Sequence, residues 1–153
     1  MNRAIEVVTL KPQPTVIVRA EVSRAELGMR LAQVLPRAFQ HAMKSGAQAT
    51  GMPFTRYLRV AGEQLSIEAG VPVTKTVAAN GDVVASELPG GRAVKTVHVG
   101  PYDTLPATHA ALKAWATSNG EKPRDDAWEI YVTDPSTQPD PQKWETEVYL
   151  PLR

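Results

Sequence analysis

The 153-residue sequence contains no cysteine, which excludes disulfide bonds, thiolate metal ligands and cysteine nucleophiles. No segment approaches the roughly 20 consecutive apolar residues that a membrane-spanning helix needs. Neither sign of charge dominates, because 17 Lys and Arg against 16 Asp and Glu give a formal net charge of +1. Since no cluster of basic residues is present either, charge gives no reason to expect direct DNA binding.

The N-terminus also lacks the apolar run and cleavage pattern of a secretion signal. The three histidines do not have the spacing of metal ligands, so neither a metal nor another cofactor is expected. These absences together lead us to expect a soluble cytoplasmic protein without a membrane partner.

What the sequence does contain is the same order of elements twice. In each half, the pattern of apolar and polar residues predicts a strand, a helix and two further strands. The predicted strands cover residues 15–22, 54–60, 63–71, 93–99, 128–133 and 144–150. Residues 6–10 are either a separate short strand or part of the first one. Residues 74–92 are expected to connect the halves, and part of them fits an additional short strand or hairpin.

Each half has one predicted amphipathic helix. The first follows Ser23, which forms the spacing of a capping box with Glu26, and it ends at Ser45-Gly46. Pro36 is expected to kink or split this helix, because proline removes a backbone donor. The second helix is expected to use Asp103 as its N-cap and to run to about residue 118.

The two halves, about residues 1–73 and 93–153 of a single domain, also share residues. Glu68 and Glu147 each stand four residues before a proline at the end of the last strand, and the spacing of Phe54 and Tyr57 recurs at residues 128 and 131. A duplicated β-α-β-β unit predicts an α+β fold with pseudo-twofold symmetry, in which two helices cover one face of an antiparallel sheet. The other face would be open, with a ligand cleft near the pseudo-twofold axis.

The second half resembles a known family. The run Val97-His-Val-Gly-Pro-Tyr-Asp-Thr-Leu105, the helix with Trp115, the segment Trp128-Glu-Ile-Tyr131 and the closing Thr146-Glu-Val-x-x-Pro151 are similar to the GyrI-like family. That family includes the effector-binding domains of AraC- and MerR-type multidrug-responsive regulators. The resemblance is strong over residues 93–152 and looser over residues 1–73.

The resemblance implies a domain that binds small, often cationic or aromatic, molecules in a central cleft. By position, it makes Glu129 the glutamate that meets the ligand and Trp144 an aromatic residue of the pocket. It also implies relatives that hydrolyse electrophilic cyclopropane-containing compounds and others that modulate DNA gyrase. The regulators carry a helix-turn-helix domain before the effector domain, whereas this sequence starts at the ligand domain, so direct DNA binding is not expected.

Strand alternation gives a separate expectation of where the carboxylates point. The apolar side chains of Trp128 and Ile130 should meet the helices, which would place Glu129 and Tyr131 on the open face. On the last strand, alternation places Glu147 on the open face and residue 144 towards the helices, against the pocket position that the family implies. A β-bulge near the start of that strand, or a twist at its end, would reconcile the two, and the sequence leaves this open.

The candidate ligand-binding residues are the aromatic and acidic side chains of these segments, namely Glu129, Tyr131, Trp144, Glu147, Tyr102, Phe54 and Tyr57. Glu129 is either a solvated strand residue or a partly buried carboxylate that meets a cationic ligand. Glu147 either lines the cleft or, with Glu68, anchors the halves. Tyr102 either supports the turn into its helix or lines the cleft. His109 lies on the apolar side of its helix and is expected to be a satisfied core histidine.

Two functions follow from these residues. The leading hypothesis is a domain that binds amphipathic, aromatic or cationic small molecules, for drug sensing or sequestration. The alternative is a hydrolase in which Glu129 or Glu147 acts as the general base towards an electrophilic ring, while a tyrosine hydroxyl assists the leaving group. A protein partner such as gyrase or a transcriptional regulator is a third hypothesis.

Overall fold

Two compact units make up the fold, and each contains four antiparallel strands and one helix. The computed structural model describes residues 2–153. The first unit is Lys11–Gly90, and the second unit joins the residues up to Leu10 with Gly91–Arg153. The elements in chain order are β1 (Glu6–Leu10), β2 (Gln13–Ser23), α1 (Leu27–Lys44), β3 (Phe54–Ala61), β4 (Gln64–Pro72), β5 (Val83–Leu88), β6 (Gly91–Val99), α2 (Leu105–Ser118), β7 (Trp128–Tyr131) and β8 (Glu145–Pro151).

Corresponding strands of the two repeats occupy the same positions in both units. The order is β3-β4-β2-β5 in the first unit and β7-β8-β6-β1 in the second, with every neighbouring pair antiparallel. The predicted α+β class, with antiparallel strands and two helices, is therefore confirmed. A pseudo-twofold relation between the units stays a prediction.

Two short segments extend the predicted repeat. β1 pairs with β6, so residues 6–10 form a separate strand that belongs to the second unit rather than to the first half. β5 lies within the predicted connection and pairs with β2, which adds the extra strand that this segment fits. Each β-α-β-β unit is thus widened by one edge strand.

Helix α1 packs one apolar side against the sheet of the first unit. Val34, Ala38 and Ala42 are buried in a core that they share with the inward side chains of β2 and β4. Helix α2 does the same in the second unit, where Leu112 and Ala116 are buried against β6 and β8. Over the described residues, neither helix is both long and apolar enough to cross a membrane.

The helix starts differ in how well the sequence predicts them. The capping box is confirmed, because the Glu26 amide donates to Ser23 Oγ at 3.2 Å and the Ser23 amide donates to Glu26 Oε1 at 3.4 Å. It caps a 3-10 turn over Arg24–Glu26 that leads directly into α1. The expectation that Asp103 caps α2 is wrong, since a short 3-10 turn over Tyr102–Thr104 precedes the helix and moves its cap to residue 104. The helix ends at residue 118, as expected.

Pro36 does not split α1, which runs unbroken from residue 27 to residue 44. Proline at position 36 removes the amide that would bond to the carbonyl of Ala32. Both residues are exposed, so that carbonyl lies on the solvent side of the helix, where the loss of its donor costs least.

Glu68 occupies a buried ionic cluster in the first unit. Its side chain is only 4% exposed, and its carboxylate accepts a bond from Arg19 Nε at 2.8 Å and from Ser86 Oγ at 2.9 Å. Arg56 Nη1 lies 3.5 Å from the same carboxylate. Because these partners come from β2, β3 and β5, the side chain of Glu68 ties together all four strands of the unit.

We predict that Glu68→Gln destabilises the protein by about 2 kcal/mol, the range of a lost hydrogen bond to a charged group. Glutamine keeps the size of the side chain and an acceptor for Ser86, but it removes the charge that Arg19 and Arg56 face. Urea unfolding followed by circular dichroism measures the change. Glu21→Gln is the matched control, because Glu21 is exposed and accepts a bond from the Ser66 hydroxyl at 2.7 Å, so it should cost less than about 0.5 kcal/mol. Equal losses for the two variants would contradict the structural role of Glu68.

Candidate functional site

The strand register of the second unit shows which side chains face α2. Val94, Val148 and Leu150 share one core with Leu112 and Ala116 of α2. Val148 lies opposite Glu129 in the β7–β8 pair, and directly opposite residues of paired strands point to the same face. The side chain of residue 129 therefore points towards α2.

The expectation that Glu129 and Tyr131 lie on the face away from the helices is wrong. His109 of α2 donates from Nε2 to Glu129 Oε1 at 2.7 Å, and the Tyr131 hydroxyl donates to Glu129 Oε2 at 2.9 Å. Trp128, expected to meet the helix, instead stacks on Tyr149 on the far face, with ring centroids 5.4 Å apart. Polarity misled the prediction because Trp128 and Glu129 are both buried, at 2% and 3% exposure.

Three aromatic rings, which we call the aromatic cluster, lie beside this carboxylate. They belong to Tyr102, Tyr131 and Trp144. The ring of Tyr102 is 5.5 Å from that of Tyr131 and 4.9 Å from that of Trp144, measured between centroids. All three side chains are half-buried, and the indole Nε1 of Trp144 donates to the carbonyl of Gln138 at 2.8 Å. The second unit thus joins four of the seven candidate residues: Tyr102, Glu129, Tyr131 and Trp144.

The conflict over Trp144 disappears in the structure. Alternation along β8 places residue 144 on the side of α2, and Glu129 lies on that same side, so the helix-facing position and the position beside the carboxylate agree. No bulge in β8 is needed, because its register with β6 is continuous from Glu145 to Pro151. The direction that alternation gives for Trp144 agrees with the structure, and the apparent conflict came from the wrong expectation for Glu129.

Glu147 lies on the far face of the same sheet, as alternation predicts. Its carboxylate is 3.3 Å from Lys95 Nζ and accepts a bond from the Tyr149 hydroxyl at 3.2 Å. Lys95 also lies over the Tyr149 ring, 5.4 Å from its centroid. The structure therefore separates Glu147 from Glu129 by the thickness of the sheet.

Phe54 and Tyr57 belong to the first unit, and they point to opposite faces of β3. Tyr57 lies opposite Ile67 and packs against the core beneath α1. Phe54 lies opposite Gly70, on the face that also carries Glu68, and is 1% exposed. Their part in ligand binding stays a prediction.

The charge around Tyr102 is negative. Burial raises the pKa of the Tyr102 hydroxyl, and the carboxylates of Asp134 and Glu129 raise it further. Asp134 is itself held ionised, because the amide and hydroxyl of Ser136 bond to it and lower its pKa. The phenol of Tyr102 is therefore neutral at physiological pH, and the carboxylates of Asp134 and Glu129 are both near enough to affect it.

His109 is the site residue whose contact the sequence did not reveal. Its ring nitrogen bonds to Glu129, and its side chain is 24% exposed. The sequence feature that could have revealed this contact is the position of His109 in α2. It stands four residues after Leu105 and three before Leu112, both of which are buried. A polar residue on the buried stripe of a helix needs a partner on the facing sheet.

The two faces can be distinguished by titrating tyrosines. We predict that Glu129→Gln lowers the pKa of Tyr102 and leaves that of Tyr149 unchanged, because loss of a nearby negative charge favours the phenolate. Glu147→Gln should lower the pKa of Tyr149 and leave that of Tyr102 unchanged, since burial and then the charge of Glu147 raise the pKa of Tyr149. Carbon-13 NMR titration of labelled tyrosine, assigned with Tyr→Phe variants, measures both. A shift of Tyr149 in Glu129→Gln would contradict the face assignment.

Comparison with known proteins identifies the family. The sequence matches the family model of the GyrI-like small molecule binding domain over residues 3–153. No curated protein sequence matches the chain. The C-terminal domain of EcmrR has the same fold, with a TM-score of 0.85 and 22% identity over 98% of this chain and 97% of that one. In a cryo-EM structure of EcmrR with DNA, the TM-score is 0.84 at 23% identity, covering 98% of this chain but 57% of the EcmrR chain.

Two further structures share the fold at lower similarity. SAV2435 bound to tetraphenylphosphonium gives a TM-score of 0.66 at 10% identity, over 99% of this chain and 94% of that one. A hydrolase from Listeria innocua gives 0.65 at 14% identity, over 99% and 92%. At these identities the structures show the fold alone, whereas the family model covers nearly the whole sequence. The chain therefore belongs to the GyrI-like family of small-molecule-binding domains.

Proposed function

We propose that the domain binds a cationic aromatic small molecule on the helix-facing side of its second unit. The observation that carries the proposal is the buried carboxylate of Glu129 beside the aromatic cluster. Such binding would serve to sense or sequester xenobiotic compounds.

The burial of Glu129 is the first support. Removing a carboxylate from water costs several kcal/mol unless partners offset the loss, and here His109 and Tyr131 supply hydrogen bonds. Tyr131 belongs to the aromatic cluster, and His109 lies on α2, whose buried side chains share a core with Tyr102. Buried ionisable groups that are surrounded in this way are concentrated at functional sites.

The aromatic cluster is the second support. A cation placed over the face of an aromatic ring gains about 0.5–2 kcal/mol per ring, and more when water is excluded. Tyr102 lies in contact distance of the other two rings, so a flat or multi-ring cation that separates them would meet several faces at once. The charges of Glu129 and Asp134 near Tyr102 favour the same sign of ligand.

One structural neighbour supports this ligand class. SAV2435 holds tetraphenylphosphonium, a large aromatic cation, in a domain of the same fold. EcmrR combines such a domain with DNA binding. These facts concern those proteins, and they make tetraphenylphosphonium the natural first probe here.

We predict saturable binding of tetraphenylphosphonium, detected by isothermal calorimetry and by the change in tryptophan fluorescence. Glu129→Gln should weaken binding at least about tenfold, because the lost charge–charge term exceeds about 1.4 kcal/mol in a partly buried site. Tyr102→Ala should weaken it by about three- to tenfold through the lost ring.

Two matched variants serve as controls for this titration. Glu121→Gln removes a carboxylate of the same unit that pairs with Arg92, and it should leave the affinity unchanged. Glu147→Gln removes the carboxylate of the far face. If Glu147→Gln weakens binding and Glu129→Gln does not, the ligand binds the other face and the proposed site is wrong. If native protein shows no saturable binding to a panel of aromatic cations, the proposed function is wrong.

Hydrolysis is the second candidate function, and one observation favours it. The carboxylate of Glu129 is bonded by both a phenol and an imidazole, so three proton-exchanging groups meet at one point. In this reaction Glu129 would take a proton from water as the hydroxide attacks an electrophilic ring carbon. The ring C–C bond would break towards the other carbon, which the Tyr131 hydroxyl would protonate.

We predict that, if this activity exists, incubation with a cyclopropane-bearing electrophile yields the ring-opened product with one added water, which mass spectrometry detects. Tyr131→Phe should then slow turnover about 10²-fold, the size of one general acid–base contribution, with little change in affinity. Turnover that survives the combined loss of Glu129 and Glu147 would refute this mechanism.

A further inference from the structure

His98 lies at the centre of a buried hydrogen-bond network in the second unit. The residue is 3% exposed. Its Nδ1 lies 2.6 Å from Thr108 Oγ1 and 3.0 Å from Asn2 Oδ1. Its Nε2 lies 2.9 Å from Thr104 Oγ1 and 3.1 Å from the carbonyl of Pro101. Both ring nitrogens therefore have partners, although neither contacts the aromatic cluster or Glu129 in this network.

The partners of His98 are the segments that hold the proposed ligand site. Pro101 and Thr104 flank Tyr102, whose ring packs on Trp144. Thr108 precedes His109, which bonds to Glu129. One imidazole thus connects the turn that carries an aromatic ring with the helix that carries the carboxylate's partner.

The turn before Tyr102 needs such support. Gly100 has a φ of +139°, a conformation that side-chain-bearing residues rarely adopt, and its amide donates to the carbonyl of Trp144 at 2.8 Å. Glycine also has the largest conformational freedom to lose on folding. The bonds from His98 Nε2 to Pro101 and Thr104 restrict the turn on its other side.

The N-terminal segment joins the same network. Asn2 Nδ2 donates to Thr108 Oγ1 at 2.9 Å, in addition to the contact of its Oδ1 with His98. The Arg3 amide donates to the carbonyl of Val97 at 2.9 Å. Residues 2 and 3 are thereby held on β6 next to His98, so their order and the position of the imidazole depend on each other.

We propose that His98 is a positioning residue for ligand binding, which sets Tyr102 against Trp144 through the bonds of its Nε2 to Pro101 and Thr104. This inference rests on the proposed function and extends it to residues that do not touch the ligand. A preorganised site binds more tightly because the cost of ordering the turn has already been met in the free protein.

Two variants of His98 separate its two nitrogens. The amide of His98→Gln reaches the position of Nε2 and can still bond to Pro101 and Thr104. The shorter side chain of His98→Asn reaches only the position of Nδ1, so it keeps the contacts to Thr108 and Asn2. Both substitutions remove the imidazole, but only His98→Gln keeps the bonds to the turn. If His98 positions Tyr102, the two variants should therefore behave differently.

The readout is made first without ligand. Nitrogen-15 NMR of the tryptophan indoles, with the Trp144 signal assigned by Trp144→Phe, reports the ring current of Tyr102. His98→Asn should shift this signal and should weaken tetraphenylphosphonium binding at least about fivefold, the lower range of coupling between distinct positions. His98→Gln should leave the signal near its native position and the affinity within about twofold. If His98→Asn fails to fold, Thr104→Val replaces it in the test. This variant removes one partner of Nε2 and should shift the Trp144 signal and weaken binding in the same direction.

His41→Gln is the matched control, because His41 Nε2 bonds to the carbonyl of Ala78 at 2.7 Å in the first unit. It should change neither the Trp144 signal nor the affinity. Asn2→Ala should resemble His98→Gln, because both remove the contact of Nδ1 with Asn2 and leave the bonds of Nε2 in place.

The inference is overturned if the Trp144 signal is native in every His98 variant, or if both variants lose affinity only in proportion to their loss of thermal stability. If native protein does not bind tetraphenylphosphonium but the indole signal separates Asn from Gln as described, the positioning role stands and the proposed ligand class is at fault. The two failures are therefore distinguishable.

Discussion

The buried carboxylate of Glu129 is the interaction on which the site depends. A charge that is 3% exposed is tolerated only with close partners, and those partners come from both sides of the interface between sheet and helix. His109 bonds to it from α2 and Tyr131 from the same strand. The carboxylate therefore sets the distance of α2 from β7, and it fixes the hydroxyl end of a ring in the aromatic cluster. Packing, charge and the proposed chemistry meet at this one group.

In the second unit, the two faces of the sheet use similar residues for different purposes. On the far face, Lys95 contacts the carboxylate of Glu147 and lies over the ring of Tyr149, so the protein itself supplies the cation there. On the helix-facing side, the carboxylate of Glu129 bonds to His109 and Tyr131 beside the aromatic cluster, and the proposed ligand would add a cation there. The proposed ligand would thus use the same kinds of cation–π and ionic interaction that stabilise the fold on the far face.

The sequence predicted much of this fold because local patterns determine it. The strands, both helices and the Ser23–Glu26 capping box follow from alternation, spacing and cap chemistry. The direction of Glu129 did not follow, because alternation states which residues share a face but not which face is covered. Trp128 and Glu129 are both buried, so hydrophobicity cannot rank their faces. The contact of His98 with Asn2 and the pairing of β1 with β6 join residues more than 80 positions apart in the sequence, and no local pattern encodes these.

A crystal structure with tetraphenylarsonium tests the central claim most directly, because the anomalous signal of arsenic locates this analogue of tetraphenylphosphonium without ambiguity. We expect one arsenic peak on the helix-facing side of the second unit, with a phenyl group against Tyr102 or Trp144 and the arsenic within about 6 Å of a ring centroid or of the Glu129 carboxylate. An arsenic peak beside Glu147 and Lys95 on the far face, or saturated crystals with no peak near Glu129, would contradict it.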